Sequence, residues 1–382
     1  MTKPSSNLPR LLLMLALAAA ACLSLGTGVH QALHNSNDFQ WSGAHLLSQH
    51  IDPWQTYLSG DPQRLILPGQ WPSYLHELYV LLLPLGMLSF HSALRLWCAF
   101  NLLAAAAVLW LLARTLRLTR SQTIWTAGLF LSCTPLRVTL ANGQQSLLFL
   151  LLLTAAMATR SRISRGLWLG LSWFKYSFAP LLFLTWLFQR RWLVLACSLL
   201  PPLAGLGIAA VMLHALHLTD LFNLIREPLR AGNIATATGY GDLMTLFKAL
   251  LQKHAHQSGY TLRLLLPYGL TLGLACACAL WLALKKNLDA HLQMAVILAL
   301  TLLLFPHLDY DYIVLVWPLA VVLRAAKSRA QILSLAVIGC LWYGQTIINR
   351  LGVRDSLMVL AVNALLLFML AWALTRLRPA AD

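Results

Sequence analysis

The chain has 382 residues, 59% of them hydrophobic and only 10% charged, with a mean hydropathy of +0.69; soluble domains carry about 25% charged residues, so composition excludes a soluble enzyme. The formal net charge of +16 is carried by short basic clusters between apolar runs, such as Arg114, Arg117 and Arg120, Arg160, Arg162 and Arg165, and Arg324, Lys327 and Arg329. That is the positive-inside pattern of a membrane protein, and it excludes a nucleic-acid partner.

A bilayer core of about 30 Å asks for about 20 apolar residues per helix, and only helices and closed barrels satisfy every backbone group in lipid. The apolar runs are too long for barrel strands, so the sequence predicts an all-α, polytopic integral membrane protein with about 10–12 transmembrane helices. It reads as a single membrane domain over 1–382. Residues 8–30 form the first span, an uncleaved helix despite its signal-like Ala19-Ala20-Ala21-Cys22, with Lys3 and Arg10 holding the N-terminus in the cytoplasm. Residues 31–72 form the first external loop, punctuated by Asp52-Pro53-Trp54 and Gly60-Asp61-Pro62. The short, proline-broken run 73–90 is expected as an interfacial or re-entrant helix on the outer side. Spans follow at 92–113, 121–138 and 145–159. Residues 166–189 carry Arg clusters at both ends and Lys175 in the middle. A central lysine costs about 2.5–3.5 kcal/mol on insertion, so a short helical hairpin with Lys175 near its tip is expected. A span at 192–216 leads to a second long external segment, 217–260, and spans at 261–284, 288–305, 311–326, 331–348 and 356–375 complete the chain.

This topology places Asp38, Asp52, Asp61, Glu77, Asp220, Glu227, Asp242, Asp309, Asp311 and Asp355 outside and leaves only Asp289 and Asp382 inside. Carboxylate chemistry is therefore expected at the outer face. Asp38 stands where the first span ends. It is a candidate general base with access to lipid and water, or else a local loop acid. Asn142-Gly143-Gln144-Gln145 lies between two outward helix ends, where its amides suit sugar hydroxyls or simply make a turn. In Pro306-His307-Leu308-Asp309-Tyr310-Asp311-Tyr312 the histidine, acids and tyrosines suit a sugar site, a weak metal site or an aromatic belt with solvated charges. Arg226, Arg230, Lys248, Lys253 and Arg263 run against the positive-inside trend; phosphate binding is one reason, ion pairing with Glu227 or Asp242 another. The seven cysteines show no CxxC spacing and read as packing residues. There is no Walker motif, no GxGxxG and no nucleotide-binding domain, so an activated sugar is expected to come on a lipid; no cofactor and no bound metal are expected.

The order Asp38-Phe39, Asp52-Pro53-Trp54, Trp71-Pro72-Ser73-Tyr74, Asn142-Gly143-Gln144, Lys175, Arg190-Arg191-Trp192 and Pro306-His307 resembles glycosyltransferase family 87 of the glycosyltransferase C superfamily. The resemblance implies an inverting hexosyltransferase, often a mannosyltransferase, that uses a polyprenyl-phosphate sugar, with the first-loop acid, here Asp38, as base. It departs from the family where Trp71-Pro72-Ser73 replaces Tyr-Pro-Pro and where Asp311 replaces a histidine. The expected setting is the cytoplasmic membrane of a cell-envelope pathway, with the active site facing outward. The expected partners are the lipid-linked donor, a glycan or glycolipid acceptor and the bilayer. The expected substrate-binding residues are Asn142, Gln144, Lys175, His307, Asp311, Arg226, Arg230 and Arg263. A polyprenyl-linked lipid or sugar flippase is the alternative. The acid-free stretch from 78 to 219 speaks against a proton-coupled carrier, which places acids near the midplane.

Overall fold

The structure is a computed structural model that describes residues 8–36, 39–215, 241–254, 260–285, 288–350 and 356–377. It is all helical there, with no strand among the described residues. The helices are α1 (Leu8–Asn35), α2 (Trp41–Ser48), α3 (Pro53–Leu58), α4 (His76–Leu81), α5 (Leu83–Gly86), α6 (Phe90–Thr115), α7 (Arg120–Ser132), α8 (Thr134–Asn142), α9 (Ser146–Ala158), α10 (Arg162–Gly170), α11 (Ala179–Phe188), α12 (Trp192–Leu213), α13 (Leu243–His254), α14 (Tyr260–Leu284), α15 (Ala290–Leu304), α16 (Val316–Arg324), α17 (Arg329–Arg350) and α18 (Ser356–Leu374). Short 3-10 helices cover Tyr176–Phe178 and Asp309–Leu315.

Five helices, within α1, α6, α12, α14 and α18, are long and apolar enough to cross a membrane. This makes the chain a multi-pass membrane protein. A sixth span forms if α7 and α8 are one helix bent by 52°. The bend has a local cause: Cys133 is extended and Pro135 opens α8 without an N–H to continue the ladder. Of three shorter apolar helices, Ser146–Ala158 and Ala290–Leu304 occupy predicted spans, and Tyr176–Phe188 falls in the second arm of the expected hairpin 166–189.

Several expectations change in detail. Residues 311–326 do not make one span: a 3-10 turn over Asp309–Leu315 precedes α16, which has only 9 residues. The expected loop 31–72 contains two helices, and Asp52 caps α3 by accepting from the N–H groups of Trp54 and Gln55. The run 73–90 is split into α4 and α5, neither long enough to cross. The break within 166–189 falls at Lys175, but the two arms do not form a tight hairpin. Instead α10 packs on α12 and α11 on α14. A Cβ at Gly170 would fall 2.5 Å from the Ser198 carbonyl oxygen, so the α10–α12 approach requires glycine there. Glu77, expected as an outer acid, is buried against Gly205 of α12.

The core is centred on α15, where every residue from Leu292 to Leu304 is buried. A helix that is apolar all round belongs inside a protein, and its Thr301 hydroxyl is satisfied by the Ile297 carbonyl. Around it stand α11, α13, α14, α16 and α18 and both 3-10 turns. The two ends of α15 are therefore ringed by loop and turn residues from distant parts of the chain.

Candidate functional site

At the C-terminal end of α15 four buried polar side chains meet. Lys175, set in the break between α10 and α11, places Nζ 2.6 Å from Asp311 Oδ1. Ser146, the first residue of α9, donates its hydroxyl to the same oxygen at 2.8 Å and accepts from Lys175 Nζ at 2.9 Å. His307 Nδ1 lies 3.2 Å from Asp311 Oδ2. Lys175, His307 and Asp311 are each at most 5% exposed. The Tyr310 ring lies 5.2 Å from Lys175 Nζ, and the Phe178 ring packs against His307 at a tilt of 43°, with centroids 4.2 Å apart.

Electrostatics fix the protonation states. Burial alone would raise the Asp311 carboxyl, but the Lys175 ammonium and the His307 hydrogen bond win and hold it down at about 2. Burial lowers the His307 value below its ordinary 6.5 despite Asp311, so the ring is neutral at pH 7. Its Nδ1–H donates to Asp311. Nε2 is buried without a hydrogen-bond partner and presents an acceptor.

Lys175 and Asp311 open onto a cavity of about 780 Å³. One wall is apolar, built from Leu265, Gly269 and Leu272 of α14 with Met244 and Phe305. The polar end carries Tyr74, Tyr176 and Lys248. Lys248 Nζ donates to the Tyr268 hydroxyl at 3.1 Å and lies 4.5 Å from that ring's centroid. Asp242, expected as a possible ion partner of the outer basic residues, caps α13 and also draws electrostatically on Lys248, one of those residues. Its carboxylate accepts from the Thr245 N–H and hydroxyl at 2.7 and 2.8 Å.

The amide turn lies behind Tyr74. The Tyr74 hydroxyl donates to Gln144 Oε1 at 3.4 Å, and Trp97 Nε1 donates to the Gly143 carbonyl at 2.8 Å. Gly143 has φ +68, and a Cβ there would sit 2.9 Å from both Phe39 Cβ and Ser36 Oγ. The turn is thus locked against the residues that flank Asp38. Phe39 also stacks on Trp97, while the adjacent Gln40 accepts from the Tyr79 hydroxyl.

Of the residues singled out from sequence, Lys175, Lys248 and Asp311 line the cavity directly. Gln144 reaches it through Tyr74, and His307 through Asp311. Asn142 ends α8, half-buried, and does not line it. Asp38, Arg226 and Arg230 lie outside the described residues, as does the side chain of Arg263. The reading of residues 306–312 as solvated belt charges is corrected, because Asp311 is buried and paired. Among the described residues no three His, Cys, Asp or Glu side chains converge as metal ligands would, and Asp309 accepts from the Tyr310 N–H. Sequence reasoning missed Ser146, Tyr176 and Tyr268. Ser146 carried a signal, since it directly follows the Gly143-Gln144-Gln145 turn. Tyr268, inside an apolar run, carried none.

A sequence model of glycosyltransferase family 87 matches residues 78–306, more than half of the chain. The match includes Asn142, Gln144, Ser146, Lys175, Lys248 and Tyr268. It stops just before His307 and Asp311. No curated protein and no solved structure shows a significant match.

Proposed function

Because this chain belongs to glycosyltransferase family 87 and is a membrane glycosyltransferase, we propose that it transfers a hexose, mannose in the first instance, from a polyprenyl-phosphate sugar to a glycan or glycolipid acceptor. The observation that carries this reading is the cavity itself. It joins an apolar α14 wall, suited to an isoprenoid chain, to a polar end with two lysines, suited to a sugar phosphate. Lys248 is the described basic residue best placed for the phosphate. Arg226, Arg230 and Arg263 join it in this proposal as further phosphate ligands. The ordered Lys175–Asp311–Ser146 network holds the sugar end rigid, which spares reorganisation during reaction.

In this mechanism Asp38 takes the proton of the acceptor hydroxyl. The acceptor oxygen bonds to the anomeric carbon as the carbon–oxygen bond to phosphate breaks, and polyprenyl phosphate leaves. One base and one displacement invert the anomeric centre. The packing of Ser36 and Phe39 against Gly143 supports this assignment, since it ties the neighbours of Asp38 to the turn that reaches the cavity through Gln144 and Tyr74. The active face is proposed to look outward from the cytoplasmic membrane, where nucleotide sugars are scarce and a lipid-borne donor is needed.

The test is transfer by the purified full chain from labelled polyprenyl-phosphate mannose to membrane glycolipid acceptors. Lipid-dependent transfer with inverted anomeric configuration is expected. Efficient transfer from a nucleotide sugar with no lipid carrier would overturn the donor assignment. Movement of the lipid-linked sugar across vesicles without transfer would favour a flippase.

A further inference from the structure

A second recess, of about 870 Å³, lies at the opposite end of α15. Its floor includes Asp289, His291 and Leu292, the start of that helix, whereas Phe305 and Pro306, just past its end, line the first cavity. Four basic side chains from four separate segments converge on it: Arg117 from the α6–α7 turn, Lys285 after α14, Arg324 at the end of α16 and Arg376 after α18. All four are exposed.

Basic residues at helix ends are common in membrane proteins, and a scattered set is simply solvated. This set differs in three ways. The charges share one concavity. None of the four makes an ion pair among the described residues. The single acid in the recess, Asp289, caps α15 through Oδ1, which accepts from the N–H groups of His291 and Leu292 at 2.8 and 2.9 Å, and its one charge is outnumbered by the four basic side chains. In addition, His291 Nδ1 on the floor is buried with no hydrogen-bond partner. Like charges held together around an unsatisfied nitrogen call for an anion from outside.

The rim identifies the anion's source. Trp281 and Trp372 stand exposed at the edge, with Lys285 and Arg376 resting over their rings at 5.7 and 5.4 Å. Exposed tryptophans at the ends of apolar helices mark the headgroup level of a bilayer, and basic pockets between membrane helices at that level hold anionic lipid heads. We propose that this recess binds the phosphate headgroup of an anionic lipid, at the end of the bundle opposite the transfer cavity. Cation–π contacts park Lys285 and Arg376 at the mouth, and a lipid phosphate draws them inward.

The test is native mass spectrometry of the full chain in detergent with added phosphatidylglycerol, phosphatidylcholine or inorganic phosphate. Phosphatidylglycerol is expected to bind at least 10-fold more tightly than phosphatidylcholine. The double variant Arg324→Gln with Arg376→Gln should bind it at least 10-fold more weakly while melting like the parent in lipid-free detergent. The matching pair of lysine substitutions should retain most of the binding. If the glutamine pair does not fold, Arg117→Gln with Lys285→Gln provides the same measurement from the other segments. Equal binding of the two lipids, or undiminished phosphatidylglycerol binding in the folded glutamine variants, would overturn the proposal. Inorganic phosphate binding as tightly as phosphatidylglycerol would overturn the lipid source.

Discussion

Lys175→Met removes one charge from the buried network and keeps most of the stem. Asp311 is then left with Ser146 and His307 alone. The carboxyl is held at about 2 against an ordinary 3.8, a net result in which burial pushes up and Lys175 pulls down harder. At 1.36 kcal/mol per unit this depression is worth ~2–3 kcal/mol. Deleting one partner of a buried pair typically costs about 3–5 kcal/mol, because the remaining ion keeps its desolvation penalty. The variant should therefore lose ~3–5 kcal/mol of stability at pH 7. A carboxyl depressed in the folded state contributes stability that is full above pH 3.8 and lost as pH falls through about 2. The gap to the parent should narrow correspondingly in acid. Thermal unfolding in detergent, followed by tryptophan fluorescence between pH 3 and 8, reads this out. Lys175→Met with Asp311→Leu removes both charges and should lose less than the two single variants combined. A single variant that melts with the parent at pH 7, or losses that simply add, would refute the reasoning.

Four further outcomes follow from the same geometry. Gly143→Ala forces a side chain into left-handed backbone against Phe39 and Ser36; it should cost ~1–2 kcal/mol from the backbone alone and depress transfer by shifting the segment that carries Asp38, both measurable on one purified sample. Asp38→Asn should melt like the parent yet transfer about 10²-fold more slowly or worse; near-normal turnover would return Asp38 to a structural role. Burial pushes the Glu77 carboxyl from 4.5 up to about 8 with neither oxygen hydrogen-bonded, so its cost to folding grows as pH rises from 4.5 to 8; Glu77→Gln should melt above the parent at pH 9 and with it at pH 4, and a pH-independent gap would contradict this. Arg226→Ala, Arg230→Ala and Arg263→Ala should each weaken donor use by the ~1.5–3 kcal/mol of a charge-assisted contact; unchanged donor kinetics in all three would leave Lys248 without these arginines as phosphate ligands.

Sequence patterning was sufficient for helices that meet lipid directly. The apolar runs behind α1, α6, α12, α14 and α18 answer to bilayer thickness alone, so their lengths can be read without knowing their neighbours. It failed at 311–326, where composition looks like a span but the backbone turns to bring Asp311 inward. Lys175 was legible as a break, since a lone ammonium in an apolar run needs a reason. Its partner was not. Ser146 and Asp311 are 165 positions apart in sequence, and nothing in local periodicity pairs them. The burial of Glu77 was hidden for the same reason: only the α4–α12 contact reveals it.

The shortness of α15 has a consequence for how a lipid-borne substrate is handled. Its 15 residues span about 22 Å at 1.5 Å per residue, against a hydrocarbon thickness of about 30 Å. Since α15 touches protein on all sides, no lipid need deform to match it. With α15 upright across the bilayer, the shortfall would become depth, setting the floors of the recesses at its two ends below rims at headgroup level. A head carried on a long hydrocarbon tail reaches such a recess by moving sideways, not upward. The tail stays immersed, avoiding about 0.8 kcal/mol for every methylene that would otherwise be drawn into water.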